Sequence, residues 1–113
     1  MKIVKSSEVP PKTLEGKSVV KEYELDSREA NIAVVRIEGR YPTEGFSCNN
    51  KSQELVYVMS GSGNLLINNE IHALEQGDAV RISSGEKFYW EGSMDIVVCC
   101  TPPWDISQYS IEK

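Results

Sequence analysis

The sequence predicts an all-β domain, an antiparallel sandwich or barrel. Three observations carry that expectation. Gly, Asn and Pro turn signals recur at short intervals along the chain. Between them lie about nine short segments rich in β-branched and aromatic residues, and none has good helical periodicity. The connections are too short for βαβ crossovers, so hairpin neighbours are favoured.

The segments follow in order. KSVVKEYEL (17–25) alternates enough to form a strand, and ANIAVVRIEGR (30–40) is β-branched and ends at Gly39. YPTEGFSCNN (41–50) reads as a loop, with Pro42, Gly45 and two Asn. ELVYVM (54–59) reads as a strand closed by a turn at Gly61-Ser62-Gly63. Leu55, Tyr57 and Met59 on one face and Val56 and Val58 on the other predict burial on both sides. NLLI (64–67) and EIHAL (70–74) flank Asn68-Asn69, a pair that tolerates the left-handed backbone of a two-residue hairpin. AVRI (79–82) follows the turn Gln76-Gly77-Asp78. KFYWEG (87–92) is aromatic, and MDIVVCCT (94–101) is a buried-type strand stopped by Pro102-Pro103. Only the tail WDISQYSIEK offers a helical turn, and Asp26 and Asp105 read as turn or cap residues.

A chain of 113 residues fits one domain, here 1–113, with a core barrel at about 17–104 flanked by an N-terminal strand and a C-terminal tail. With 40% hydrophobic and 26% charged residues it has the composition of a globular chain rather than a disordered one. A formal net charge of −5 with scattered Lys and Arg argues against nucleic acid or an anionic membrane as partner. MKIVKSSEVPPK lacks the apolar centre of a secretory signal, and no apolar run approaches the roughly 20 residues of a spanning helix. A cytoplasmic location is therefore expected. Three cysteines without a CxxC fit neither a disulfide framework nor a zinc motif.

The order of pieces from Glu54 to Trp104 resembles the cupins, small β-barrels of the jelly-roll kind. Their first motif reads G-x5-H-x-H-x3,4-E-x6-G, and Glu54 followed after six residues by Gly61 matches its end. Their second reads G-x5-P-x-G-x2-H-x3-N, and Gly77, Ser83 and Gly85 match its start with Ser for Pro. CCTPPWD resembles the exit strand of many single-domain cupins, and GEKFYWEG is similar to a group of small bacterial ones. The resemblance implies an antiparallel double-stranded β-helix. It also implies a homodimer, since cupins often lend N-terminal strands to a neighbour, and Val19, Tyr23 and Leu25 of KSVVKEYEL give such a strand apolar surface.

The departures from the motifs bear on chemistry. The two first-motif histidines fall at Cys48 and Asn50, or at Ser47 and Asn49 with the longer gap, and the second-motif histidine falls at Phe88. Only Glu54 keeps a ligand type, and His72 is the sole histidine of the chain. A site of two imidazoles and a carboxylate is out of reach within one subunit, so no metal and no cofactor are expected. His72 reads as a half-exposed strand residue, and a nucleophile elbow and a phosphate loop are both absent.

Glu54 is either a carboxylate hydrated at the barrel mouth or a pocket acid with a shifted pKa. If Phe88 points inward, Trp90 does too, and the two rings either fill a small barrel or line a pocket. A pocket of Glu54, Val56, Phe88 and Trp90, with Cys48 and Asn50 at the former ligand positions, suits a small aromatic or cationic molecule. The leading expectation is a metal-free module that binds or senses an unknown small molecule, with no catalytic residue assigned. The alternative is a cupin enzyme, an oxidoreductase or isomerase using Glu54, with or without a weakly held metal. A structural or protein-interaction scaffold is a third reading.

Overall fold

The computed structural model describes residues 1–113 and contains nine strands. These are β1 (Lys12–Thr13), β2 (Val19–Tyr23), β3 (Asn31–Tyr41), β4 (Phe46–Asn49), β5 (Gln53–Ile67), β6 (Glu70–Glu75), β7 (Ala79–Ile82), β8 (Lys87–Thr101) and β9 (Tyr109–Glu112). Single 3-10 turns lie at Ser6–Glu8 and Ile106–Gln108. All strand pairs are antiparallel. No helix is long and apolar enough to cross a membrane.

The two long strands β5 and β8 run side by side and pass through both faces of the barrel. Toward one end they carry β7 on β5, while β3, bearing β2 and β1, lies along β8 from Trp90 to Cys100. Toward the other they carry β6 on β5 and β4 and β9 on β8. This is the double-stranded β-helix that the motif order implies. Asn68 and Asn69 both take left-handed backbone (φ 53° and 61°), as a tight β5–β6 hairpin requires.

Two differences from the sequence reading share one cause. Gly61-Ser62-Gly63 does not close a strand; β5 runs straight through it. Likewise β8 runs through Gly92 and Ser93, so four expected strands are two. The reason lies across the sheet, where Gly39, Gly92 and Gly63 stand opposite one another on β3, β8 and β5. Between Gly63 and Gly92 the backbones approach too closely for side chains, whereas Gly39 has open space and is required instead by its left-handed backbone (φ 78°). A Cβ on Gly63 would stand 2.6 Å from the Glu91 carbonyl and 2.7 Å from Met94 Cε. The glycines therefore mark a sheet corner, where the chain bends without breaking its ladder.

The inward face is a continuous core that includes Ile37, Val58, Leu65, Ile82, Met94 and Ile96. The outward face of β5 corrects the expectation of two buried sides. Leu55, Tyr57 and Met59 are 44%, 49% and 39% exposed. Two further strands, β4 and β9, were not foreseen. β4 lies inside the segment read as a loop, and β9 in the tail, where only a helical turn was expected. β2, the expected strand for lending, is paired to β3 along its whole length and to β1 at Val19 and Val20.

Two glycine substitutions separate the causes. Gly63→Ala meets backbone, whereas Gly77→Ala meets open space and must only hold a φ of +96°. Urea denaturation should show Gly77→Ala losing roughly 1–2 kcal/mol and Gly63→Ala losing more, about 3 kcal/mol.

Candidate functional site

A cavity of about 230 Å³ opens in the barrel. Each part of its wall has a local cause. Strand alternation points Phe88 and Trp90 of β8 inward, where their rings meet edge to face at 6.4 Å. The same alternation on β4 turns Ser47 and Asn49 inward and leaves Asn50 exposed. β3 ends at Tyr41, which also lines the cavity.

Val20 and Glu22 of β2, Ala33 and Val35 of β3 and Ile96 and Val98 of β8 supply much of the remaining wall, and the rest comes from the tail, which a buried amide clamps in place. Gln108 Oε1 accepts from the Ser52 and Lys51 backbone N–H groups at 2.7 and 3.1 Å. Gln108 Nε2 donates to Ser52 Oγ at 2.8 Å, and that hydroxyl donates to the Pro102 carbonyl at 2.6 Å. Asp105 caps the following turn by accepting from the Ser107 N–H at 2.8 Å. Trp104 and Tyr109, on either side of this clamp, pack at 5.8 Å and line the cavity.

Glu54 is the first inward residue of β5. Its Oε2 accepts from Asn49 Nδ2 at 2.6 Å, and Asn49 Oδ1 accepts from Trp104 Nε1 at 2.9 Å. The indole N–H only donates, so it fixes which way the Asn49 amide faces. Its NH₂ group is thereby committed to Glu54. Burial pushes the Glu54 carboxyl up to about 7, and the Asn49 hydrogen bond opposes part of that rise. Cys100 stands opposite Glu54 in the ladder, and burial, then the Glu54 charge, push its thiol up to about 12. A second polar group is a hydroxyl set: Ser47 Oγ lies 2.7 Å from Tyr109 Oη, which lies 3.4 Å from Tyr41 Oη. Burial, reinforced by Tyr109, raises the Tyr41 phenol well above its ordinary value.

Three of the six residues expected at the site, Glu54, Phe88 and Trp90, line the cavity. Val56 points into the core but does not reach the cavity wall. Cys48 and Asn50 are corrected: the register of β4 selects Ser47 and Asn49 as the inward pair. Cys48 lies on the other face of β4, where burial and Glu112 raise its thiol. Asn49, Trp104, Tyr41 and Tyr109 escaped the site assignment. The longer motif gap pointed to Asn49, whereas the tail residues depend on the Gln108 clamp, which spans 56 residues of sequence.

The metal positions of the cupin motif are thus Ser47, Asn49, Glu54 and Phe88. One carboxylate, one hydroxyl, one amide already bonded on both sides and a phenyl ring do not fit a transition ion. No three His, Cys, Asp or Glu side chains converge anywhere. His72 sits half exposed on β6, with Nε2 3.3 Å from Glu70.

The raised Glu54 carboxyl sets a pH dependence of stability. The folded state holds a proton that the unfolded chain releases near 4.5. Stability from this group is complete below 4.5 and is lost as pH rises through about 7. Relative to Glu54→Gln, the parent protein should lose about 3 kcal/mol between pH 4 and pH 8 in urea melts.

No protein-family model matches the chain, and no curated protein matches it in sequence. Solved structures do. A variant of Streptomyces PAC13 with uridine superposes with a TM-score of 0.88 at 19% identity, covering 96% of this chain and 88% of that one. Another structure describes Pac13 as a nucleoside dehydratase. Oxalate decarboxylase OxdC of Bacillus subtilis matches with a TM-score of 0.79 at 16% identity, over 93% of this chain and 30% of that one. KdgF from Halomonas sp. matches with a TM-score of 0.73 at 16% identity, over 88% and 92%. All three are cupin-fold proteins, and at these identities the fold is what is shared. The strand order, the long central pair and these superpositions agree that this chain has the cupin fold.

Proposed function

We propose that this barrel binds a small organic molecule in the cavity between Glu54 and the rings of Phe88, Trp90 and Trp104. The observation that carries the reading is the cavity itself. Phe88 and Trp90 are both 3% exposed, yet about 230 Å³ stays open beside them. Pockets for drug-sized ligands measure roughly 300–1,000 Å³, so the smaller cavity here suits a ligand on the scale of a single ring with a short substituent. The apolar wall supplies affinity by excluding water, and Glu54 with the Ser47–Tyr109 hydroxyls supplies orientation. A structure of a protein with the same fold contains uridine, in keeping with an organic ring as ligand.

A second reading, an enzyme with Glu54 as general acid or base, is favoured by one observation. A carboxyl that changes protonation near neutrality faces the cavity, as proton transfer at ordinary pH requires. Under that reading Glu54→Gln abolishes turnover and leaves binding measurable.

The chain has only two tryptophans, Trp90 and Trp104, and both line the cavity. Tryptophan emission therefore reports occupancy without a label. Titration with single-ring probes (benzyl alcohol, benzamide and benzylamine) should shift the emission saturably for at least one of them. Ala33→Phe, which fills the cavity from β3, should weaken that binding by about tenfold or more. Emission unmoved by every probe would contradict the proposal.

A further inference from the structure

The charges on the cavity wall narrow the ligand class, and this step rests on the binding reading above. Two ionisable carboxyls line the cavity, Glu54 from β5 and Glu22 from β2, and after burial both contribute to raising the Cys100 thiol. No Lys, Arg or His lines it. The other titratable groups facing Glu54 are Cys100, Tyr41 and Tyr109, whose neutral forms carry no positive charge. A carboxylate or phosphate ligand would therefore enter an apolar chamber with no counter-charge and two repelling acids. A neutral ligand suits only the protonated form of Glu54 and leaves the ionised form, present above about pH 7, without a charged partner. We infer that the cavity takes an organic cation, a protonated amine on an apolar body, with the ammonium held by Glu54 and the body packed against the aromatic rings.

The geometry favours this class in three further ways. Trp90, Trp104 and Tyr41 present ring faces or edges around the cavity, and ring faces attract cations most strongly where water is excluded. Asn49 occupies Oε2 of Glu54 with one hydrogen bond, and a carboxylate has capacity for several, so acceptor sites remain for an ammonium. A formal net charge of −5 raises the local concentration of cations around the whole molecule. Because burial holds the free carboxyl near 7, an arriving cation displaces its proton, and binding strengthens as pH rises through that value.

Three probes with one ring and different charge test the class at pH 8: benzylamine, benzyl alcohol and benzoate, read by tryptophan emission. Benzylamine should bind at least about tenfold more tightly than benzyl alcohol, and benzoate should not bind. Glu54→Gln should weaken benzylamine by about tenfold and leave benzyl alcohol unchanged. Glu22→Gln should act in the same direction by a smaller factor. Benzylamine affinity should fall between pH 8 and pH 5.5 in the parent protein and stay level in Glu54→Gln. Benzyl alcohol or benzoate binding as tightly as benzylamine, with sensitivity to Trp90→Ala, would overturn the cation assignment and leave the binding reading standing. Emission unmoved by all three would overturn both.

Discussion

A carboxyl group removed from water inside an apolar chamber has two stable responses: it keeps its proton, or it finds a cation. Glu54 is in that position, with a single amide donor at 2.6 Å and aromatic or aliphatic walls around it. The rest of the site is arranged about this constraint. The Trp104 indole fixes the Asn49 amide, that amide gives Glu54 its one hydrogen bond, and no basic side chain neutralises it. The free chamber therefore holds this carboxyl protonated up to about pH 7, and its ionised form has no cationic partner within the chain.

Keeping the chamber open depends on features well away from Glu54. The glycines facing one another on β8 and β5 let the two long strands stay paired where their backbones crowd, so that each continues from one end of the barrel to the other. The Ser52–Gln108 clamp carries the tail back across the mouth and delivers Trp104 and Tyr109. Without the clamp, two of the five aromatic residues of the wall have no fixed place. Fold and chemistry meet in this tail: the same buried amide that closes the barrel places the indole that orients Asn49.

Much of this was legible in the residues, and the parts that were not share a physical reason. Strand existence, the Asn68-Asn69 hairpin and the inward face of Glu54, Phe88 and Trp90 follow from local alternation and turn chemistry, which act over two to six residues. Gly61-Ser62-Gly63 misled because glycine marks both a turn and a close backbone approach. Only the strand opposite distinguishes the two. The choice between Cys48 with Asn50 and Ser47 with Asn49 turned on a one-residue register, which sequence spacing alone left open. Tyr109 and Trp104 reach the site through contacts spanning more than fifty residues, beyond any local signal. The outward face of β5 read as buried because Leu55, Tyr57 and Met59 are apolar, yet no other element of the chain covers them.

The Glu54 carboxyl is the point on which site chemistry, stability and ligand class converge. Its ionisation is directly observable by carbon-detected NMR with selectively labelled glutamate, assigned through the Glu54→Gln variant. The side-chain carboxyl should titrate near pH 7 in the free protein, and well below that value with benzylamine bound. A Glu54 carboxyl that titrates near 4.5 in the free protein would mean that the chamber is wet at this point, and the account would fail.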